Sequence, residues 1–449
     1  MQSHKENSQE TRRTFLKKSG LLTAGLTAAV SSTVPRVHAA EDNTIKIALI
    51  GCGGRGTGAA ADALSTKGPK KLWAMADVFP YRLNGSYGGL HDAFPDEVDV
   101  PEERRFLGLD AYKKAIDAIG PGGVALLCTG PAFRPLHVEY AVEKGVHVFM
   151  EKAFGVDSPG VRRIIAAGKK ADEKNLKVAG GLMSRHSFPL QSCIEQIQEK
   201  KLIGDCVTCW AYRVHDAVGL SPKPAGGSEL AHQIANYSNF TWMNGSFLLD
   251  WLIHNLDVSC WVMGDWPVSA QGQGGRQVRP YPDQMFDHFA IEYTFPNGTR
   301  LMAQGRHQNN TWGFFGITLH GTQGSAVLGE GISHPKIFKG YNQTPENQIW
   351  EHKGEYNNQY QTEHVLFFDA IRNNKKHNET DRCCKAAMVG ILGRMAAESG
   401  QLITWDEAMN SNKALAPGLD NIKWGDDAPV MPDANGNYPI AMPGITKVL

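Results

Sequence analysis

The sequence has no excess of charge of either sign: 46 Lys and Arg stand against 46 Asp and Glu in 449 residues. Without a net field the chain has nothing to draw nucleic acid or anionic lipid toward it, so no nucleic-acid partner is expected and a small neutral molecule fits better. Long apolar runs are missing too. Beyond the first forty residues none approaches the roughly 20 needed to cross a bilayer, so no stable membrane anchor is expected. Cysteine is present but unpatterned. The eight cysteines stand singly apart from Cys383 and Cys384, with no repeated C-x-x-C and no His at metal spacing, so no metal site is expected. Cys206 and Cys209 lie three apart in a strand-like run, which points them to opposite faces.

What is present is ordinary globular material, 42% hydrophobic and 20% charged, long enough for two domains. Trp210, Trp242, Trp251 and Trp261 would suit stacking on sugar rings, although buried tryptophans more often serve the core.

The N-terminus reads as a targeting segment. Thr11-Arg12-Arg13-Thr14-Phe15-Leu16-Lys17 precedes an uncharged stretch from Gly20 to Val34 and then Val37-His38-Ala39-Ala40, the pattern of a twin-arginine signal with its cleavage site. The expectation is export by the twin-arginine machinery to the periplasm or another extracytoplasmic space. That route carries folded proteins, so a cofactor would travel with the fold and stay bound.

Ile45 to Ile50, IKIALI, is a strand-length apolar run that leads straight into Gly51-Cys52-Gly53-Gly54-Arg55-Gly56. This is G-x-G-x-x-G between a strand and a helix-compatible stretch, where glycines let the backbone approach a pyrophosphate at a helix N-terminus. The next apolar run ends in Asp77, 21 positions after Gly56, near the spacing of a carboxylate that accepts from ribose hydroxyls. A carboxylate there favours NAD over NADP, with Arg82 leaving some room for the latter. After a polar, Gly-rich stretch from Phe79 to Gly108, read as loop, strands and helices alternate again through Val124 to Cys128 and Val146 to Phe149. Such alternation predicts a parallel sheet covered by helices, with Thr129-Gly130-Pro131 and Glu151-Lys152-Ala153 at strand ends facing the cofactor.

In the second half, Ser158-Pro159 reads as a helix start with Ser158 as N-cap, followed by a strand over Lys177 to Leu182. Several alternating runs then follow, with Pro296-Asn297-Gly298 as a hairpin turn. Ser246 to Met263 reads as a buried helix whose polar exceptions Asp250, His254 and Asp257 form one stripe. Burying such groups unpaired is costly, so each needs a partner or a ligand.

These motifs, above all GVHVFMEKAFG from Gly145 to Gly155 and the Asp-x-x-x-His of DWLIH, resemble the Gfo/Idh/MocA oxidoreductases. The resemblance implies an α/β plus α+β architecture: an N-terminal Rossmann doubly wound parallel sheet, then a mostly antiparallel open-sheet domain. The expected divisions are 1–40 signal, 41–157 NAD-binding, 158–422 substrate and oligomerisation domain, and 423–449 an extended arm. It implies a nicotinamide-dependent oxidation of a CH-OH group on a sugar or polyol and a homo-oligomer. The alternatives are a redox-neutral enzyme that cleaves or epimerises a glycoside by transient oxidation, and a non-catalytic carbohydrate binder. Implied catalytic residues are Lys152, His254 as base and Asp250 as its positioner or as a hydroxyl ligand. Implied cofactor contacts are Gly51, Gly53, Gly54, Arg55, Gly56, Asp77, Thr129, Pro131, Arg134, Glu151 and Lys152. Arg134 stands where relatives carry a histidine and Ala153 where they carry proline. Arg185, His186, Tyr212 and Asp257 are candidate substrate contacts, with Asn236, Trp242, His288 and His307 weaker ones.

Overall fold

The computed structural model describes residues 43–329 and 334–449, so the expected signal segment lies outside the described residues. Ile45–Ile50 forms β1, buried along almost its whole length, as expected of a strand covered on both faces. It is joined by β2 (Lys70–Asp77), β3 (Arg105–Leu107), β4 (Val124–Leu127), β5 (His147–Met150) and β6 (Val178–Gly180) in one sheet of order β3-β2-β1-β4-β5-β6. Every pairing is parallel. This is the doubly wound order, and its direction reverses between β1 and β4, so a crevice opens where their carboxyl ends diverge.

Three local expectations need correction. The 79–108 stretch is not loop, because Pro80–Ala93 is a helix entered by proline and Arg105–Leu107 is the edge strand β3. Its three glycines, Gly85, Gly88 and Gly89, hid the helix. The helix Ser158–Glu173 is capped by Asp157, whose carboxylate accepts from the Gly160 amide at 2.9 Å, and not by Ser158. The strand expected in the second domain pairs with β5, which carries the parallel sheet past residue 157.

The second sheet has nine strands: β7 (Cys206–His215), β8 (Ser269–Gly275), β9 (His288–Thr294), β10 (Arg300–His307), β11 (Phe314–Gly321), β12 (Gly324–Leu328), β13 (Pro335–Lys339), β14 (Gln348–Glu351) and β15 (Ile403–Thr404). Their order is β14-β13-β12-β11-β7-β10-β9-β8-β15. Only β7 and β10 run parallel among these pairs. Burial alternates along β10, with Leu301, Ala303, Gly305 and His307 inward, so one face is packed and the other open. Helices Ile253–Met263 and Thr380–Ser399 lie on the packed face. The second of them also packs against Ser158–Glu173 and β6, filling the space between the two sheets.

Candidate active site

The loop after β1 is built from glycine for steric reasons that can be stated atom by atom. Gly51 has φ +94°, and a Cβ there would lie 2.7 Å from the Cys128 and Thr129 backbone. At Gly56 a Cβ would fall 1.9 Å from the Gly51 carbonyl oxygen, so only glycine lets the helix Gly54–Leu64 start this close to β1. Gly53 and Gly54, by contrast, face open space. That helix has no side-chain cap and no acidic residue in its first turn, so its N-terminal amides remain free for an anion. A cradle of bare backbone at a helix N-terminus fits a pyrophosphate.

This cradle forms one end of a cavity of about 520 Å³. Gly51, Gly53, Gly54, Arg55, Gly56, Asp77, Thr129, Pro131, Glu151, Lys152, Asp250 and His254 all line it, beside Arg82, Met183, Arg213, Tyr237, Met243, Trp251, Phe315 and Tyr360. At the far edge of the nucleotide end, Asp77 accepts from the Cys52 amide at 2.6 Å and from the Phe79 amide at 2.9 Å, which fixes the carboxylate at the tip of β2. Arg55 leaves the phosphate turn and donates to Glu151 at 2.5 Å, tying the nucleotide loop to the end of β5.

The other end is built around Lys152, whose peptide to Ala153 is cis. Its Nζ donates to Asp250 Oδ1 at 3.0 Å and to the Asp250 carbonyl, while Asp250 Oδ2 accepts from Ser238 at 2.7 Å. Burial, the largest single influence, favours the neutral amine, but the charge and hydrogen bond of Asp250 together with Tyr237 and Glu151 outweigh it and hold Lys152 above the ordinary lysine range. His254 behaves oppositely. Burial first, and then the charge of Lys152, push it well below the ordinary histidine value, and its Nδ1 is buried without a hydrogen-bond partner. The pair is therefore a cation and a neutral imidazole at neutral pH, a division of labour suited to polarising an oxygen and accepting a proton. Asp250 does not position His254 as expected, because its carboxylate is committed to Lys152 and Ser238. The helix begins with one wider π turn, Leu248–Leu252, before continuing as Ile253–Met263. Such turns recur at functional sites; here Asp250 reaches the cavity from the π turn and His254 from the α-helix that follows it.

Several expected contacts are elsewhere. Arg134 turns inward, fully buried, and donates to the carbonyls of Leu127 and Thr129, so it braces the turn after β4 and does not itself line the cavity. Arg185 and Asp257 form a buried two-pronged ion pair with both contacts at 2.8 Å, away from the cavity. His186 is buried 3.8 Å from Glu379. Tyr212 lies on the other face of β7, stacked on Trp210 at 6.2 Å and tilted against Phe314 at 5.6 Å. Asn236, Trp242, His288 and His307 are engaged in hydrogen bonds with Ser221, Gln233, Asp287 and Phe286, and none lines the cavity.

Of the tryptophans suited to stacking on a sugar, Trp251 lines the cavity, and the residues overlooked in the sequence are Arg213, Tyr237, Phe315 and Tyr360. Parity gives the missing signal for Arg213. Cys209 and Ala211 face the core, so the residue two further along β7 does as well. Behind Arg55 lies Glu363, buried without a hydrogen-bond partner and held well above the ordinary carboxylate range by burial and by Glu151. No group of three or more His, Cys, Asp or Glu side chains suited to a metal occurs among the described residues, and none of their helices is long and apolar enough to cross a membrane.

Residues 221–327 match the family model of the GFO/IDH/MocA C-terminal domain. An inositol 2-dehydrogenase of Ralstonia nicotianae is 24% identical over 262 residues, 58% of this chain and 66% of that protein, so the chain spans just under two thirds of its curated relative. Among solved structures, an aldose-aldose oxidoreductase from Caulobacter crescentus has a TM-score of 0.63 at 16% identity, over 80% of this chain and 99% of that one. A scyllo-inositol dehydrogenase from Lactobacillus casei, solved with NAD(H) and scyllo-inositol, has a TM-score of 0.59 at 19% identity, over 81% and 99%. These likenesses agree with the two-sheet architecture found here.

Proposed function

We propose that this chain, an oxidoreductase of the Gfo/Idh/MocA type, oxidises a CH-OH group of a sugar or sugar derivative with a nicotinamide dinucleotide that stays bound between turnovers. The observation that carries the reading is a single cavity joining a bare glycine cradle to the Lys152, Asp250 and His254 group. When bound, the dinucleotide supplies a hydride acceptor. The chain's own residues do the rest. Lys152 polarises the hydroxyl oxygen and steadies it as the carbonyl forms, His254 takes the hydroxyl proton, and the carbon-bound hydrogen leaves with its electron pair. Asp250 keeps Lys152 charged and in place.

NAD is favoured over NADP, since the fixed carboxylate of Asp77 would repel a 2′-phosphate. Export through the twin-arginine route to an extracytoplasmic space is supported by the segment from Thr11 to Lys17. A homo-oligomer is supported by the open face of the second sheet, where Trp210, Tyr212 and Phe314 cluster beside Trp312.

Protein purified from its exported fraction, denatured and examined by mass, should release NAD, and the intact protein should reduce bound nicotinamide when sugars or polyols are added. Absence of any nucleotide, together with no reduction when NAD and sugars are supplied, would defeat the proposal.

A further inference from the structure

The overall neutrality of the chain conceals a local imbalance. At the substrate end of the cavity, Lys152 is matched by Asp250 at 3.0 Å and, next to it, Arg55 by Glu151 at 2.5 Å. Among the described residues Arg213 has no such match. It leaves the inner face of β7 into the cavity, its Cζ 4.1 Å from the Phe315 ring centroid and 5.3 Å from that of Trp251. Its Nε is buried without a hydrogen-bond partner, and so is the indole Nε1 of Trp251. Burial weakens its hold on the proton, the phenol of Tyr360 strengthens it, and the charge of Arg213 in turn bears on His254 and His215.

A guanidinium packed against two aromatic rings and left without a carboxylate costs free energy unless a ligand supplies the missing acceptor. A neutral hydroxyl would accept a hydrogen bond but leave the charge unbalanced. Because the other cations at this end, Lys152 and Arg55, are already neutralised and His254 is uncharged, the imbalance here is one positive charge, which matches a monoanion better than a phosphate dianion. The guanidinium lies over two rings, and its planar fork of N–H donors matches the two oxygens of a planar carboxylate. We propose that Arg213 selects a substrate bearing a carboxylate, so that the molecule oxidised is a sugar acid such as a hexuronate. The inference rests on the reading that this cavity oxidises a sugar.

The test is a panel of hexuronates, the matching neutral hexoses and hexose 6-phosphates, offered with NAD to the full-length protein and to Arg213→Gln. Nicotinamide reduction is followed, and binding is measured separately by calorimetry. Wild-type protein should show kcat/KM for a hexuronate about 10- to 100-fold above that for its neutral counterpart, and Arg213→Gln should erase the ratio. Calorimetry should show hexuronate binding that the variant loses. A preference for neutral sugars, a preference for phosphates, or a ratio unchanged in Arg213→Gln would overturn the assignment. If hexuronate binds through Arg213 but no sugar of any class reduces the nicotinamide, the oxidoreductase reading fails while this one survives. If hexuronate neither binds nor reacts, this one fails.

Discussion

Replacing Lys152 separates two consequences that a single substitution usually confounds. Asp250 is 2% exposed and its carboxylate has two partners, Lys152 at 3.0 Å and Ser238 at 2.7 Å. Lys152→Met therefore leaves a buried carboxylate with one hydroxyl donor, a loss of about 3–5 kcal/mol for breaking a buried pair from one side. Asp250→Asn in the same background removes the stranded charge, and about 2 kcal/mol of that loss should return as a coupling energy between the sites. Catalysis should behave differently. Without the ammonium, hydride transfer should fall about 10²- to 10³-fold in the single variant and stay there in the double, because the lost group acts on the developing oxyanion. Urea unfolding of the four proteins at neutral pH gives the first comparison, and single-turnover nicotinamide reduction the second. Recovery of activity along with stability in the double variant would refute the argument, since Lys152 would then matter only as a partner for Asp250.

Gly56→Ala places a methyl group 1.9 Å from the Gly51 carbonyl, so the loop must open; overpacking of this kind costs about 1–3 kcal/mol, and a matching weakening of NAD affinity should appear in a titration. Arg185→Met should destabilise the fold by about 3 kcal/mol, because Asp257 is 1% exposed, while KM for the sugar stays unchanged; a raised KM would return Arg185 to the substrate site. Burial lowers His137 and His364 to about 3 and His307 to about 4. These folded-state values lie below the ordinary ~6.5, so the unfolded chain takes up protons first as pH falls. The three contribute stability that is complete above about pH 6.5 and drains as pH falls toward 4, at up to about 4 kcal/mol per pH unit, and a urea midpoint that is the same at pH 7 and pH 5 would contradict this.

The nucleotide end was legible because its determinants are local. IKIALI, the glycine turn and Asp77 each need only a strand, a tight turn and a spacing, and the structure brings them together at the reversal of the sheet. Asp250 and His254 were legible as polar exceptions in an apolar helix, and Lys152 as a residue at a strand end within the GVHVFMEKAFG motif. Their pairing was not, because it depends on where Lys152 reaches from the other sheet, and the π turn that aims Asp250 has no sequence mark. Arg185 and Asp257 were misread for a related reason: two exposed-type residues inside apolar segments satisfied each other, which no one-dimensional pattern reports. Tyr212 and Arg213 differ by a single step in strand parity, and the aromatic was chosen over the charge. The place of Arg134 after the Thr129-Gly130-Pro131 turn suggests a cofactor contact, yet its side chain points inward, where two backbone carbonyls satisfy it. Tyr237 sits in the 221–244 stretch, whose short helices Glu229–Ala235 and Thr241–Asn244 are held in part by the C-terminal arm through Gln233 to Val430 and Tyr438 to Glu229. Contacts 197 and 209 residues apart leave no local trace.

The central claim is that one cavity moves hydrogen from a sugar carbon to a nicotinamide. It is tested most directly by supplying the protein with NAD and a mixture of sugars and hexuronates deuterated at carbon, and then weighing the recovered dinucleotide. The account predicts reduced nicotinamide carrying one deuterium in the wild-type protein, formed about 10²- to 10³-fold more slowly in Lys152→Met. Nicotinamide that is reduced without deuterium, or never reduced, would contradict it.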